Sequence, residues 1–228
     1  MKRWFRLLVI ICFVWIFGNI VIHNANVISS LWKNFIQDDA SHYILQSSDW
    51  NLIVVNPWNE IPDNYSVTLT ELSNGQKVDS RIYPDLQEMF DDMRVEGIYP
   101  IVREGYRTAE EQQAILDERI QRYMNEGYSR SMAEMAAKEW VAVPGTSEHQ
   151  LGIAVDINAD KSRSTNDEVY QWLADNAYKY GFILRYPQGK EAITGAAYEP
   201  WHYRYVGMEA AEKIYNDRIS LEEYIEND

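Results

Sequence analysis

The chain has 228 residues, 46% of them apolar and 25% charged, which is enough for one domain with a substantial core and a short appendage but not for two full domains. Its formal charge of −14 argues against nucleic acid as a partner, because that affinity rests on basic phosphate contacts. The single cysteine, Cys12, lies in an apolar N-terminal run, so there is no disulfide framework and any metal must be held by nitrogen and oxygen.

Lys2-Arg3-Trp4-Phe5-Arg6 precede an uncharged stretch from Leu7 to Ile22, broken only by Gly18 and Asn19. Basic residues ahead of an apolar run keep the N-terminus in the cytoplasm and send the rest of the chain across the membrane. Residues 1–22 are read as a cytoplasmic tip and an uncleaved, single-pass transmembrane helix. The alternative is a cleaved secretory signal, since the run falls between a signal h-region and the roughly 20 residues of a full span. In both readings the remainder is extracellular, and it carries 18 basic against 35 acidic groups, a solvated anionic surface of net charge −17. Residues 23–50, mixed polar and aromatic, are assigned to a stalk, and residues 51–228 to the folded domain.

Leu52–Val55 and Val67–Leu72 read as short strands, the second closed by the turn signal Asn74-Gly75. Tyr83-Pro84-Asp85 opens a helix with Leu86, Met89, Phe90 and Met93 at helical spacing, ending near Gly97. Pro100–Arg103 is a strand leading into Gly105-Tyr106-Arg107. Thr108 and Glu111 form a capping box for a helix with Ile115, Leu116, Ile120 and Tyr123 on one face. Ser131 and Glu134 are expected to start another, whose Met135 and Trp140 are assigned to the core. After Pro144-Gly145, residues 153–157 alternate as a strand, 166–180 form a helix ended by Gly181, 182–184 and 201–206 are strands, and 209–225 is helical. The irregular interleaving favours an α+β fold with a small antiparallel sheet flanked by helices over a βαβ repeat.

Four histidines are present, and His23 and His42 fall in the stalk, so the domain owns only His149 and His202. His149 and Asp156 are seven residues apart with Gly152 between, a spacing that a loop running into a strand can close on one ion. Asp156 stands inside the apolar strand, where an ionised carboxylate is costly unless a cation or donors compensate it. A capping or salt-bridged aspartate is the alternative. Glu199 precedes His202 by three residues, with Pro200 stiffening the approach and Trp201 available to pack beside the site. Such a glutamate suits a general base over an open coordination position. Nitrogen and oxygen ligands fit zinc, the default for hydrolysis, without excluding manganese, cobalt or iron. Arg107, between a strand and a helix cap, is placed to clamp an anion, or else to pair with a surface acid.

Ser-x-His-x-x-Gly-x-Ala-x-Asp at 147–156, Glu-x-Trp-His at 199–202 and Gly-Tyr-Arg-Thr at 105–108, followed by Gln112 or Gln113, together resemble the zinc D-alanyl-D-alanine carboxypeptidases of the VanY type over most of residues 50–210. The resemblance implies a Hedgehog/DD-peptidase-like fold, His149, Asp156 and His202 as zinc ligands, Glu199 as catalytic base and Arg107 as the stabiliser of developing charge. It further implies that Ser147 and a glutamine, assigned as Gln113, hold the peptide beside Trp201. Glu104 and Val143 depart from the pattern at positions that touch no ligand.

The function expected is removal of the terminal D-alanine from peptidoglycan stem peptides by an enzyme tethered to the membrane and facing the wall. An L,D-carboxypeptidase or endopeptidase on the same scaffold is the nearest alternative. A non-catalytic zinc-containing module that binds wall peptide is a third, disfavoured because Glu199 and Arg107 are both present.

Overall fold

The computed structural model describes residues 49–227, which belong to one compact unit, Ile44–Asp228. The membrane anchor and nearly all of the stalk read from the sequence lie outside the described residues. Trp50, at the end of that stalk assignment, packs on the domain, stacked on Tyr205 and beneath the Arg81 guanidinium. Among the described residues no helix is long and apolar enough to cross a membrane.

A hairpin comes first, β1 (Leu69–Glu71) paired antiparallel with β2 (Lys77–Asp79) around the Asn74-Gly75 turn, where Gly75 takes a positive φ of 83°. Helix α1 (Tyr83–Val95) is next and buries Leu86, Met89, Phe90 and Met93, the stripe its spacing dictates. Strand β3 (Pro100–Glu104) leads to α2 (Ala109–Asn125), whose capping box between Thr108 and Glu111 is complete, and to α3 (Arg130–Lys138). A single 3-10 turn, Glu148–Leu151, then enters β4 (Ala154–Ala159). Helix α4 (Asn166–Asn176) and a 3-10 turn, Ala177–Tyr180, end at left-handed Gly181. Strand β5 (Phe182–Leu184), the short α5 (Glu191–Thr194), β6 (His202–Tyr205), α6 (Met208–Asp217) and α7 (Leu221–Glu226) complete the chain.

The main sheet has the order β3-β4-β6-β5 and is antiparallel throughout, with helices packed around it, which is the α+β layout read from the sequence. Its principal core joins α1, α4 and the sheet through Met89, Met93, Ile157, Leu173 and Phe182. A second cluster gathers Leu52, Val54 and Ile183 with α6 and α7, and a third, much smaller one holds α2 against α3.

Four local expectations are corrected. Leu52–Val55 pairs with no strand; Leu52 and Val54 pack into the second cluster, while Val55 and the partly buried Ile53 pack into the principal core. Helix α3 starts two residues early, capped by Ser129, whose hydroxyl accepts from the Met132 amide. Met135 and Trp140 are 56% and 53% exposed, since α3 turns Ala133 and Ala137 toward α2. The C-terminal helix is two, broken at Arg218 in the left-handed region.

Candidate metal centre

Asp156 on β4 and His202 on β6 are direct partners in the antiparallel register, so both side chains rise from the same face of the sheet. His149 reaches them from the 3-10 turn, which Gly152 closes with φ 74°. A Cβ at Gly152 would stand 3.1 Å from Val67 Cγ2 and 3.3 Å from the Asp79 amide, so any other residue would be crowded there as well as strained by the positive φ. The hairpin and the segment before it fasten this turn: the Asp79 amide donates to the Gly152 carbonyl at 2.8 Å, and the Tyr65 hydroxyl donates to the Leu151 carbonyl at 2.6 Å.

One ligand atom each from His149, Asp156 and His202 lie within 4.8 Å of one another. His149 Nδ1 faces the Gly105 carbonyl at 2.8 Å; a carbonyl only accepts, so the proton sits on Nδ1 and the Nε2 lone pair is left for a metal. Gly105 is fixed in its turn, because a Cβ there would collide with the Lys77 carbonyl oxygen. Asp156 Oδ1 is 3.4 Å from His149 Nε2 and 3.0 Å from His202 Nδ1, and Glu199 Oε2 is 3.7 Å from that same Nδ1. The rings cross edge to face with centroids 4.9 Å apart.

The surrounding charge favours a cation among these groups. Burial pushes the His149 imidazole down. Burial also acts to lower His202, but the Asp156 and Glu148 carboxylates prevail and hold it at about 9. Asp156 sits far below the ordinary carboxylate range despite its burial, held there by the two imidazoles. Glu199 is raised, chiefly by burial, as suits a group that must take up a proton. Two imidazoles and a carboxylate with no thiolate are a donor set for zinc, with Glu199 beside it.

These residues floor a cleft of about 390 Å³. Arg107, Ser147, Trp201 and Tyr186 line it, as do Trp140, Ala142 and Arg119. The Arg107 amide donates to the His149 carbonyl at 3.1 Å, and its Nη1 donates to Gln112 Oε1 at 2.7 Å. Its Nε is buried and has no protein acceptor, a donor ready for an anionic oxygen. Gln113 does not reach the cleft: it is exposed and donates to Asp117 Oδ1 one turn along α2. Gln112 is the glutamine that lines the cleft, 1% exposed and anchored through Nε2 to the Ala142 carbonyl. The two residues differ by one position, which on a helix turns a side chain about 100°.

Next to the His149–Asp156–His202 group lies a cluster that sequence reasoning missed. Glu148 Oε1 accepts from Arg185 Nε and Arg204 Nη1, both at 2.7 Å, and Arg185 makes a two-pronged bridge to Glu222 at 2.8 and 2.6 Å. All four side chains are at most 3% exposed. Despite burial, the two guanidinium groups hold Glu148 well below the usual carboxylate range. The available signal was the same one that singled out Asp156: Arg185 and Arg204 each interrupt an apolar or aromatic strand-like run.

A family model described as "VanY: D-alanyl-D-alanine carboxypeptidase" matches residues 75–208. A D-alanyl-D-alanine carboxypeptidase of Enterococcus faecalis (strain ATCC 700802 / V583) is 58% identical over 177 residues, covering 78% of this chain and 66% of the relative's length. The structure of VanYB in complex with D-alanine-D-alanine superposes with a TM-score of 0.77 at 57% identity, over 79% of this chain and 99% of that one. A point variant of the vancomycin-resistance D,D-pentapeptidase VanY from a VanB-type cassette, in complex with Zn(II), gives a TM-score of 0.75 at 58% identity, over 78% of this chain and 99% of that one.

Proposed function

The chain belongs to the VanY family of D-alanyl-D-alanine carboxypeptidases, and from that premise we propose that it is a zinc D,D-carboxypeptidase that removes the terminal D-alanine from peptidoglycan stem peptides. The observation that carries this reading is the convergence of His149, Asp156 and His202 with Glu199 at the floor of one cleft. His149 Nε2, Asp156 Oδ1 and His202 Nδ1 would hold the ion. When bound, zinc supplies Lewis acidity toward the scissile carbonyl and a water acidic enough to attack near neutral pH.

The chain's own residues do the rest. Glu199 takes the proton of the attacking water as the new C–O bond forms, and delivers it to the amide nitrogen as the C–N bond breaks, so free D-alanine leaves as an amine. Burial raises the proton affinity of Glu199, which fits both halves of this transfer. Arg107, braced by Gln112, directs its unpaired Nε–H toward the carbonyl oxygen as negative charge collects there. Ser147 and Trp201 line the cleft where the peptide lies. The substrate is outside the cell, which accords with the basic tip and apolar run at residues 1–22, proposed as a single-pass anchor that leaves the domain extracellular.

A digest of defined muropeptides tests the reading. The expected product is the pentapeptide shortened by one D-alanine, with the tetrapeptide and the cross-linked dimer left intact. Trimming of the tetrapeptide would move the assignment to an L,D-carboxypeptidase, cleavage of the dimer to an endopeptidase, and no cleavage at all would leave a binding module.

A further inference from the structure

Resting on the zinc reading above, we propose that Glu148 is a positioning residue of the metal centre: its Oε2 accepts the His202 Nε2–H and so turns the opposite nitrogen, Nδ1, toward the ion. The two atoms stand 3.6 Å apart, and both are buried without any other hydrogen-bond partner. An unpaired buried donor facing an unpaired buried acceptor costs each its full desolvation, and a shift of a few tenths of an ångström joins them. On the ring's other side Nδ1 meets Asp156 Oδ1 at 3.0 Å and Glu199 Oε2 at 3.7 Å, so each ring nitrogen faces a carboxylate.

Glu148 can serve only if it stays charged and still while fully buried. Arg185 and Arg204 both bond its Oε1, which fixes the carboxylate plane and leaves Oε2 as the free oxygen. Glu222 on α7 balances the second guanidinium by bridging Arg185, and Asn56 Nδ2 donates to Glu222 Oε1 at 3.1 Å. Two cations and two anions thus close a neutral cluster in the interior, of which only Glu148 contacts a ligand imidazole.

The consequence is an asymmetric centre set by one short turn. His149 and Glu148 are neighbours in the same 3-10 turn. That turn places one ligand directly and the other through an outer carboxylate. His149 is backed by a neutral carbonyl, Gly105, whereas His202 is backed by an anion, which makes it the stronger donor of the pair.

Comparison of Glu148→Gln with Glu222→Gln in the full chain tests this. Each removes one negative charge from the same buried cluster, so a purely structural role weakens both alike. The proposal expects Glu148→Gln to lower zinc affinity in chelator competition by about 10- to 100-fold and to shift the visible spectrum of the cobalt-substituted protein, with Glu222→Gln near wild type in both. Equal loss in the two variants, or unchanged zinc affinity in Glu148→Gln, overturns it while leaving the hydrolase reading intact. A wild-type measurement covers failure of the variants to fold: with cadmium-113 and nitrogen-15 histidine, coupling is expected to His202 Nδ1, with an exchange-protected proton on Nε2. Coupling to His202 Nε2 overturns the proposal, and a wild-type chain that takes up no metal overturns the zinc reading with it.

Discussion

The two walls of the cleft are built differently. The ligand wall is a sheet whose register sets Asp156 opposite His202, backed by the principal core and by the buried Glu148–Arg185–Glu222–Arg204 cluster. The other wall comes from the α2–α3 arm and the segment after it, which supply Gln112, Ile115, Arg119 and Trp140 to the lining and rest on a cluster of five buried residues, among them Leu116, Ile120 and Ala137. The contrast shows where exactness is needed: ligand atoms tolerate little displacement, and two of the three stand on strands locked by cross-strand pairing while the third stands on the turn that enters β4, whereas contact with a peptide can be made by a wall with few buried contacts.

Glu199→Gln tests the ligand wall most severely, since it keeps the shape of the side chain but removes the charge and the base. Hydrolysis should fall by about 10²–10⁴-fold with zinc content unchanged. Retained turnover would remove Glu199 from the mechanism. Arg107→Ala is expected to lower kcat by about 10²–10³-fold, and Gln112→Ala by less, because the brace is lost but the cation stays. If the glutamine variant were the worse of the two, Gln112 would be binding substrate directly.

Gly105→Ala probes how the ligand turn is held. The added methyl group meets the Lys77 carbonyl and must move the main chain that fixes His149, so stability should fall by about 1–3 kcal/mol in denaturant melts and zinc affinity should fall with it. On the other wall, Trp140→Ala should raise KM with kcat and Tm little changed, as expected for a half-exposed side chain that lines the cleft and supports no core. A large fall in Tm there would show that the arm is as tightly built as the sheet. Removal of zinc by a chelator should abolish hydrolysis and lower Tm by an amount set by RT ln(1 + [Zn]/Kd), and by more for wild type than for Glu148→Gln.

Much of this contrast was legible in the chain. The capping box of Thr108 with Glu111, the apolar stripe of α1 and the strand holding Asp156 all depend on neighbours within a few residues, and they stand as the local pattern implies. The spacing from His149 to Asp156 was informative because Gly152 lies between them. What local reading lost was tertiary. Met135 and Trp140 carry apolar side chains on a helix whose packing face is made by alanines, so hydrophobicity alone pointed the wrong way. Gln112 and Gln113 differ only in helical phase. Glu148 meets Arg185 and Arg204 across 37 and 56 residues, pairings that only the sheet order β4-β6-β5 brings together.

Anomalous diffraction across the zinc edge, from crystals of the zinc-loaded protein, locates the ion directly. The metal-centre assignment requires one peak, bounded by His149 Nε2, an Asp156 carboxylate oxygen and His202 Nδ1, with Glu199 adjacent and unligated. A peak bound to Glu148 or Glu199 in place of Asp156, or none between the two imidazoles, would contradict it.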